Sequence, residues 1–173
     1  GKGQIHFVIG GAGRGKTTLV REFAQRAQQR DPSLLVVSGH CNAHTGMGDP
    51  YLLFREALAT LVSDVEAKWS SGMLSTEAAR RLWEAIPITL PALLDHAPAL
   101  IGPFVAASAL QRHAASFAPT NTRWLDQLAH RTADTLSMPL EEGRLFAQYT
   151  AVIKAIAAQR PLLLILEDLH WID

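Results

Sequence analysis

This sequence predicts an α/β fold, a parallel sheet sandwiched in three α/β/α layers, and three features predict it. An apolar, β-like run from Ile5 to Ile9 leads into the glycine-rich stretch Gly10-Gly11-Ala12-Gly13-Arg14-Gly15-Lys16-Thr17. A helical pattern from Thr17 to Gln29 leads out of it. Far downstream, Pro161 opens an unbroken apolar run, Leu162 to Leu166, that ends on Glu167-Asp168. Such a run, bounded by proline and acids, reads as a strand buried on both faces, as in a parallel sheet covered by helices.

The glycine-rich stretch fits G-x-x-x-x-G-K-[ST], and its strand–loop–helix setting is the one a phosphate-binding P-loop requires. Gly10, Gly11, Gly13 and Gly15, with Ala12 and Arg14 between them, let the backbone turn tightly and approach a ligand. Successive amides then converge on phosphate oxygens, and the helix that follows aims its positive end at the same place. Lys16 is the group that reaches the β- and γ-phosphates. The Thr17 hydroxyl is placed to ligate Mg²⁺, and Thr18 adds a hydroxyl further along the phosphate chain. The run ending in Glu167-Asp168 has the form of a Walker B element. Its acids are expected at the carboxyl end of a parallel strand, the ligand edge of such a sheet. One acid holds Mg²⁺ through water, and the next polarises the attacking water.

Composition narrows the classes. The chain has 173 residues, the size of one ordinary domain, and 48% of them are hydrophobic, enough for a sizeable core. Sixteen basic residues balance sixteen acidic ones, so there is no basic footprint for nucleic acid or for an anionic membrane. No apolar stretch is long enough to span a bilayer and no signal peptide is evident. Cys41 is the single cysteine, which excludes an internal disulfide and suits a reducing, cytoplasmic setting. Cys41 with His40 and His44 supplies too few ligands for a zinc site, so Cys41 reads as a loop cysteine near the sheet edge.

The remaining elements follow in order. Leu19, Val20, Phe23, Ala24 and Ala27 form the buried stripe of the first helix, with Arg21, Glu22, Arg26 and Arg30 on a solvated face. Asp31-Pro32-Ser33 breaks it, and Leu34 to Val37 reads as the second strand. Ser38 to Asp49 is polar and reads as a loop. Asp49-Pro50 starts a helix, with Tyr51, Leu52, Phe54, Leu58 and Leu61 on its core stripe. Residues 70–140 read as a helical insertion. It holds a helix from Thr76 to Ile86 capped by Ser75, an irregular stretch at Pro87, Pro91, Pro98 and Pro103, a helix from Phe104 to Phe117, and another over Thr122 to Leu136. Trp69, Trp83 and Trp124 read as packing residues. Glu141 to Gln159 keeps strict helical spacing through Leu145, Tyr149, Val152, Ile153 and Ile156, with Glu141 and Glu142 in the first turn. The chain thus divides into a β-α-β unit (1–40), a loop with helical insertion (41–140), and a helix with the acid-tipped strand (141–173).

Three segments resemble the AAA-type, origin-recognition-like ATPase domain of STAND signalling NTPases: Gly10–Leu19, Gly39–Leu58, and Arg144–Asp173 with its ending Leu169-His170-Trp171-Ile172-Asp173. The resemblance implies an ATP-driven switch using ATP/ADP and Mg²⁺. It further implies a longer protein carrying sensor, tetratricopeptide, DNA-binding or cyclase domains, as in large LuxR-type regulators. Glu167 falls where that family has a magnesium-associated Asp, and Asp168 where an acid activates water; Lys16 and Thr17 take the P-loop roles. The family also has a segment before the first strand that helps hold adenine, and a sensor strand, helices and a lid after Walker B. The sensor strand lies between the P-loop and Walker B strands, so this chain is expected to be an excerpt or to have a rearranged sheet. A nucleotide-binding module that does not hydrolyse, and a small-molecule kinase, are the alternative readings.

Overall fold

The computed structural model describes residues 3–41, 49, 51–117 and 142–169. Its elements are α1 (Lys16–Arg30), β1 (Leu35–His40), α2 (Leu52–Val62), α3 (Val65–Ser70), α4 (Thr76–His96), a 3-10 turn (Pro98–Leu100), α5 (Ala107–Phe117), α6 (Glu142–Ala157) and β2 (Leu162–Glu167). The helix expected over 122–136, with Trp124, lies outside the described residues.

Two parallel strands make the sheet among the described residues, in register from Leu35 opposite Leu162 to His40 opposite Glu167. Parallel strands need a long crossover, and α2 to α6 lie in that connection. β1 alternates strictly: Leu35, Val37 and Gly39 are buried, while Val36, Ser38 and His40 are half-exposed. It runs to His40, three residues past the expected end at Val37, because Ser38, Gly39 and His40 continue the ladder with Ile165, Leu166 and Glu167. α2 packs on β1. A Cβ on Gly39 would stand 2.0 Å from the Leu53 carbonyl oxygen, so only glycine lets the helix come this close.

The core is helical. Leu53, Leu58 and Leu61 of α2, Leu82, Ile86, Leu90 and Leu93 of α4, and Val152 and Ile156 of α6 are almost wholly enclosed. Aromatic edges close the rim: Tyr51 lies against Phe104 and Phe146, Phe54 against Tyr149, and Trp69 against Trp83 with ring centroids 5.4 Å apart. Tyr51 and Phe54 pack on the core, as their stripe predicts.

α4 continues ten residues beyond the expected end at Ile86, through Pro87 and Pro91. Each proline removes the amide that would bond the carbonyl four residues back. The two stand on the outer side, Pro87 exposed and Pro91 half-exposed, where water can reach those carbonyls. The inner side buries Ala85, Ile86, Thr89, Leu90, Leu93 and Leu94, and that packing outweighs the propensity penalty. The Ser75 hydroxyl caps α4 by accepting from the Ala78 amide. α5 starts at Ala107 rather than Phe104, because Phe104 and Val105 close a turn onto the Leu100 carbonyl.

The N-terminal region departs most from expectation. Residues 5–9 form no strand; Ile5, Phe7 and Ile9 are largely exposed. A strand is stable only when a neighbour satisfies its backbone groups, and β1 and β2 pair with each other instead. α1 touches both strands, yet only Ala24 of its apolar stripe is buried, and Leu19 and Phe23 are 61% and 60% exposed. β2, expected to be buried on both faces, is half-buried along its whole length, as a thin two-stranded sheet dictates.

Candidate functional site

The glycine-rich loop has the backbone its sequence demands. Gly13 and Gly15 take left-handed conformations, φ 72° and 78°, which a side-chain-bearing residue adopts only with strain. Gly15 turns the chain into α1, so the loop ends on a helix N-terminus. Apart from the turn at Ala12-Gly13, no backbone carbonyl among the described residues accepts from the amides of Gly11 to Thr18. These donors, with the helix dipole behind them, suit a polyphosphate. The whole loop from Gly10 to Gly15 is exposed, as are Thr17 and Thr18.

Lys16 is folded onto its own loop. Its ammonium donates to the carbonyls of Gly10, at 2.8 Å, and Gly11, at 2.9 Å. A cation beside a glycine-rich loop at a helix N-terminus is a donor set that suits phosphate oxygens, so the loop residues fit a nucleotide's phosphates.

The acid-tipped strand is arranged differently. Glu167 points to β1: its Oε2 lies 3.0 Å from His40 Nε2. The opposite side of His40 faces Glu56 of α2, whose Oε2 lies 3.5 Å from Nδ1 and accepts from the His40 amide at 3.0 Å. The Glu167 carbonyl accepts from the Cys41 amide at 3.3 Å. Glu167 is only 15% exposed, whereas Asp168 is exposed and left-handed, φ 61°. The chain therefore turns sharply between the two acids and sends them into different surroundings.

The sequence-predicted residues fall into two groups. Gly10, Gly11 and Lys16 meet within the loop, and Glu167 meets His40, whose other side faces Glu56. His170 and Trp171 lie outside the described residues. No group of histidine, cysteine and carboxylate residues among the described residues could hold a metal ion by itself. Sequence reasoning missed Glu56, and considered His40 only beside Cys41. The signal was the strand register, which sets His40 directly opposite Glu167, and which a sequence does not display.

A glycine loop opening a helix and an acid-ended strand in a parallel pair match two parts of a P-loop α/β nucleotide-binding domain, while the strand leading into the loop is not formed over residues 5–9. A family model described as the AAA ATPase domain matches residues 1–173, and the chain belongs to that family. No curated protein and no solved structure matches it. Proteins of this family bind and hydrolyse nucleotide, in general ATP with Mg²⁺. No helix among the described residues is long and apolar enough to cross a membrane.

Proposed function

We propose that this domain binds ATP and hydrolyses it to ADP and phosphate, and that the cycle works as a conformational switch in a multidomain signalling or transcription-regulatory protein. The loop geometry carries the proposal: two left-handed glycines leading into a helix N-terminus, with Lys16 folded onto the loop, in a chain of AAA type. The amides of Gly10 to Thr18 cradle the phosphates, and Lys16 exchanges its two loop carbonyls for β- and γ-oxygens. Thr17 supports Mg²⁺, with Glu167 and Asp168 as the acids of the second element. Mg²⁺, when bound, neutralises charge on the transferred phosphoryl group. Water attacks the γ-phosphorus, the bond to the β–γ bridging oxygen breaks, and the exposed Asp168 is the group free to orient that water.

The partners of this reading are nucleotide and the other domains of a longer chain, with no direct contact to nucleic acid or membrane, in the cytoplasm. A second reading, a nucleotide-holding module that does not turn over, is favoured by one observation: Glu167 is already engaged by His40. Titration calorimetry of MgATP against the protein and Lys16→Ala tests binding; equal affinity in both refutes the P-loop assignment. Phosphate release by Asp168→Asn then separates the readings. Lost turnover with retained binding supports hydrolysis, and an absence of turnover in the unmutated protein supports the second reading.

A further inference from the structure

We propose that His40, anchored by Glu56, is a positioning residue that holds the Glu167 carboxylate in place for the magnesium ion of the nucleotide complex. The inference rests on the nucleotide reading above and adds to it a side chain that reading does not use.

The geometry is specific. Cross-strand register sets His40 opposite Glu167 at the end of the ladder. The imidazole spans the gap, with Nε2 on Glu167 Oε2 at 3.0 Å and Nδ1 towards Glu56. Glu56 accepts from the backbone amide of His40 at 3.0 Å and lies 3.5 Å from the ring's Nδ1, so His40 is tied to α2 while its ring faces Glu167 of β2. The site is partly enclosed, with Glu167 15% and Glu56 31% exposed. Binding one oxygen of Glu167 leaves the other, Oε1, for a metal-bound water. A glutamate has a longer and more mobile stem than an aspartate, and fixing one oxygen removes that freedom. Partners that orient a metal-associated carboxylate commonly change metal affinity by about 10- to 100-fold when removed.

The test reads metal coupling rather than turnover. Affinity for a fluorescent ADP analogue is measured with and without Mg²⁺, and the ratio is the quantity compared. His40→Leu is expected to lower the ratio about tenfold with the Mg²⁺-free affinity unchanged. His40→Gln places an amide donor where Nε2 stands and is expected to restore it. His40→Asn places its donor on the Glu56 side and is expected not to. The Gln and Asn variants are both polar, so their comparison stands even where leucine disturbs folding. In a Glu167→Asp background the shorter carboxylate falls away from the ring, and His40→Leu is expected to change nothing further.

Three results would overturn the proposal: an unchanged ratio in all His40 variants, equal rescue by Gln and Asn, or parallel losses with and without Mg²⁺. An unmutated protein that binds the analogue no better with Mg²⁺ overturns the metal role and the proposal together. One that binds no analogue at all overturns the nucleotide reading on which both rest.

Discussion

Gly39→Ala is the substitution that most directly tests how the helical layer sits on the sheet. An added Cβ would stand 2.0 Å from the Leu53 carbonyl oxygen and 2.7 Å from its carbon. Carbon and carbonyl oxygen rest about 3.3 Å apart at closest comfortable contact, so the start of α2 must retreat by roughly 1.3 Å. That retreat unpacks Leu53, Ala57 and Leu58, all essentially enclosed, and stretches the bond from the His40 amide to Glu56. Overpacking of a tight core costs about 1–3 kcal/mol, and a hydrogen bond to a charged group contributes about 1.5–3 kcal/mol. A loss near 3 kcal/mol is the expected sum, since the bond weakens rather than breaks. For a chain of this length that is a fall of roughly 6–12 °C in melting temperature. Thermal and urea unfolding by circular dichroism would measure it. An alanine variant melting within about 2 °C of the parent, with the same urea slope, would refute the close approach of α2 to β1.

Three further outcomes are expected. Tyr149→Phe should be neutral or stabilise by up to about 1 kcal/mol, because the hydroxyl is buried with no partner among the described residues and burial pushes its pKa up; a clear loss in urea unfolding would reveal a partner. Ser75→Ala should cost about 1 kcal/mol by freeing the Ala78 amide at the start of α4, and Ser75→Asp should recover it; equal stability of all three would remove the cap from the account. The Asp31 carboxyl accepts from the Ser33 hydroxyl and amide, which holds its pKa below the usual aspartate value. The stability it adds is therefore present above the unfolded-state pKa and lost as pH falls through the lower folded-state value. Carboxyl titration by NMR should show the lowered value and its partial return in Ser33→Ala.

Local features were legible in the sequence, and long-range placement was not. The loop glycines, the Ser75 cap, the apolar stripe of α6 and the β2 run each depend on neighbours within a few residues, and each sits where its pattern puts it. The strand expected at 5–9 needs a distant partner for its backbone, and hydrophobicity alone cannot supply one. Leu19 and Phe23 were assigned to a core that this thin sheet does not build over them. α4 outran its prolines because the helix is decided by Ile86, Leu90 and Leu93 packing on α2 and α6, not by local propensity. In the site, the contact of Lys16 with the Gly10 and Gly11 carbonyls is local in sequence, whereas the link from Glu167 through His40 to Glu56 joins three segments and exists only once the register is set.

The parallel pairing of Leu35 with Leu162 also bears on how the chain reaches this state. Among the described residues the two strands pair only with each other, and the entropy of closing the long loop between them opposes early contact. The helices in between rely on nearer contacts, and docking α2 on α4 and α4 on α6 shortens the effective span the strands must bridge. Folding is then ordered by distance, with the helical cluster condensing first and β2 zipping onto β1 late. On that path the acid-bearing end of β2 is among the last parts to arrive, so nucleotide competence should lag behind helix formation in a refolding experiment.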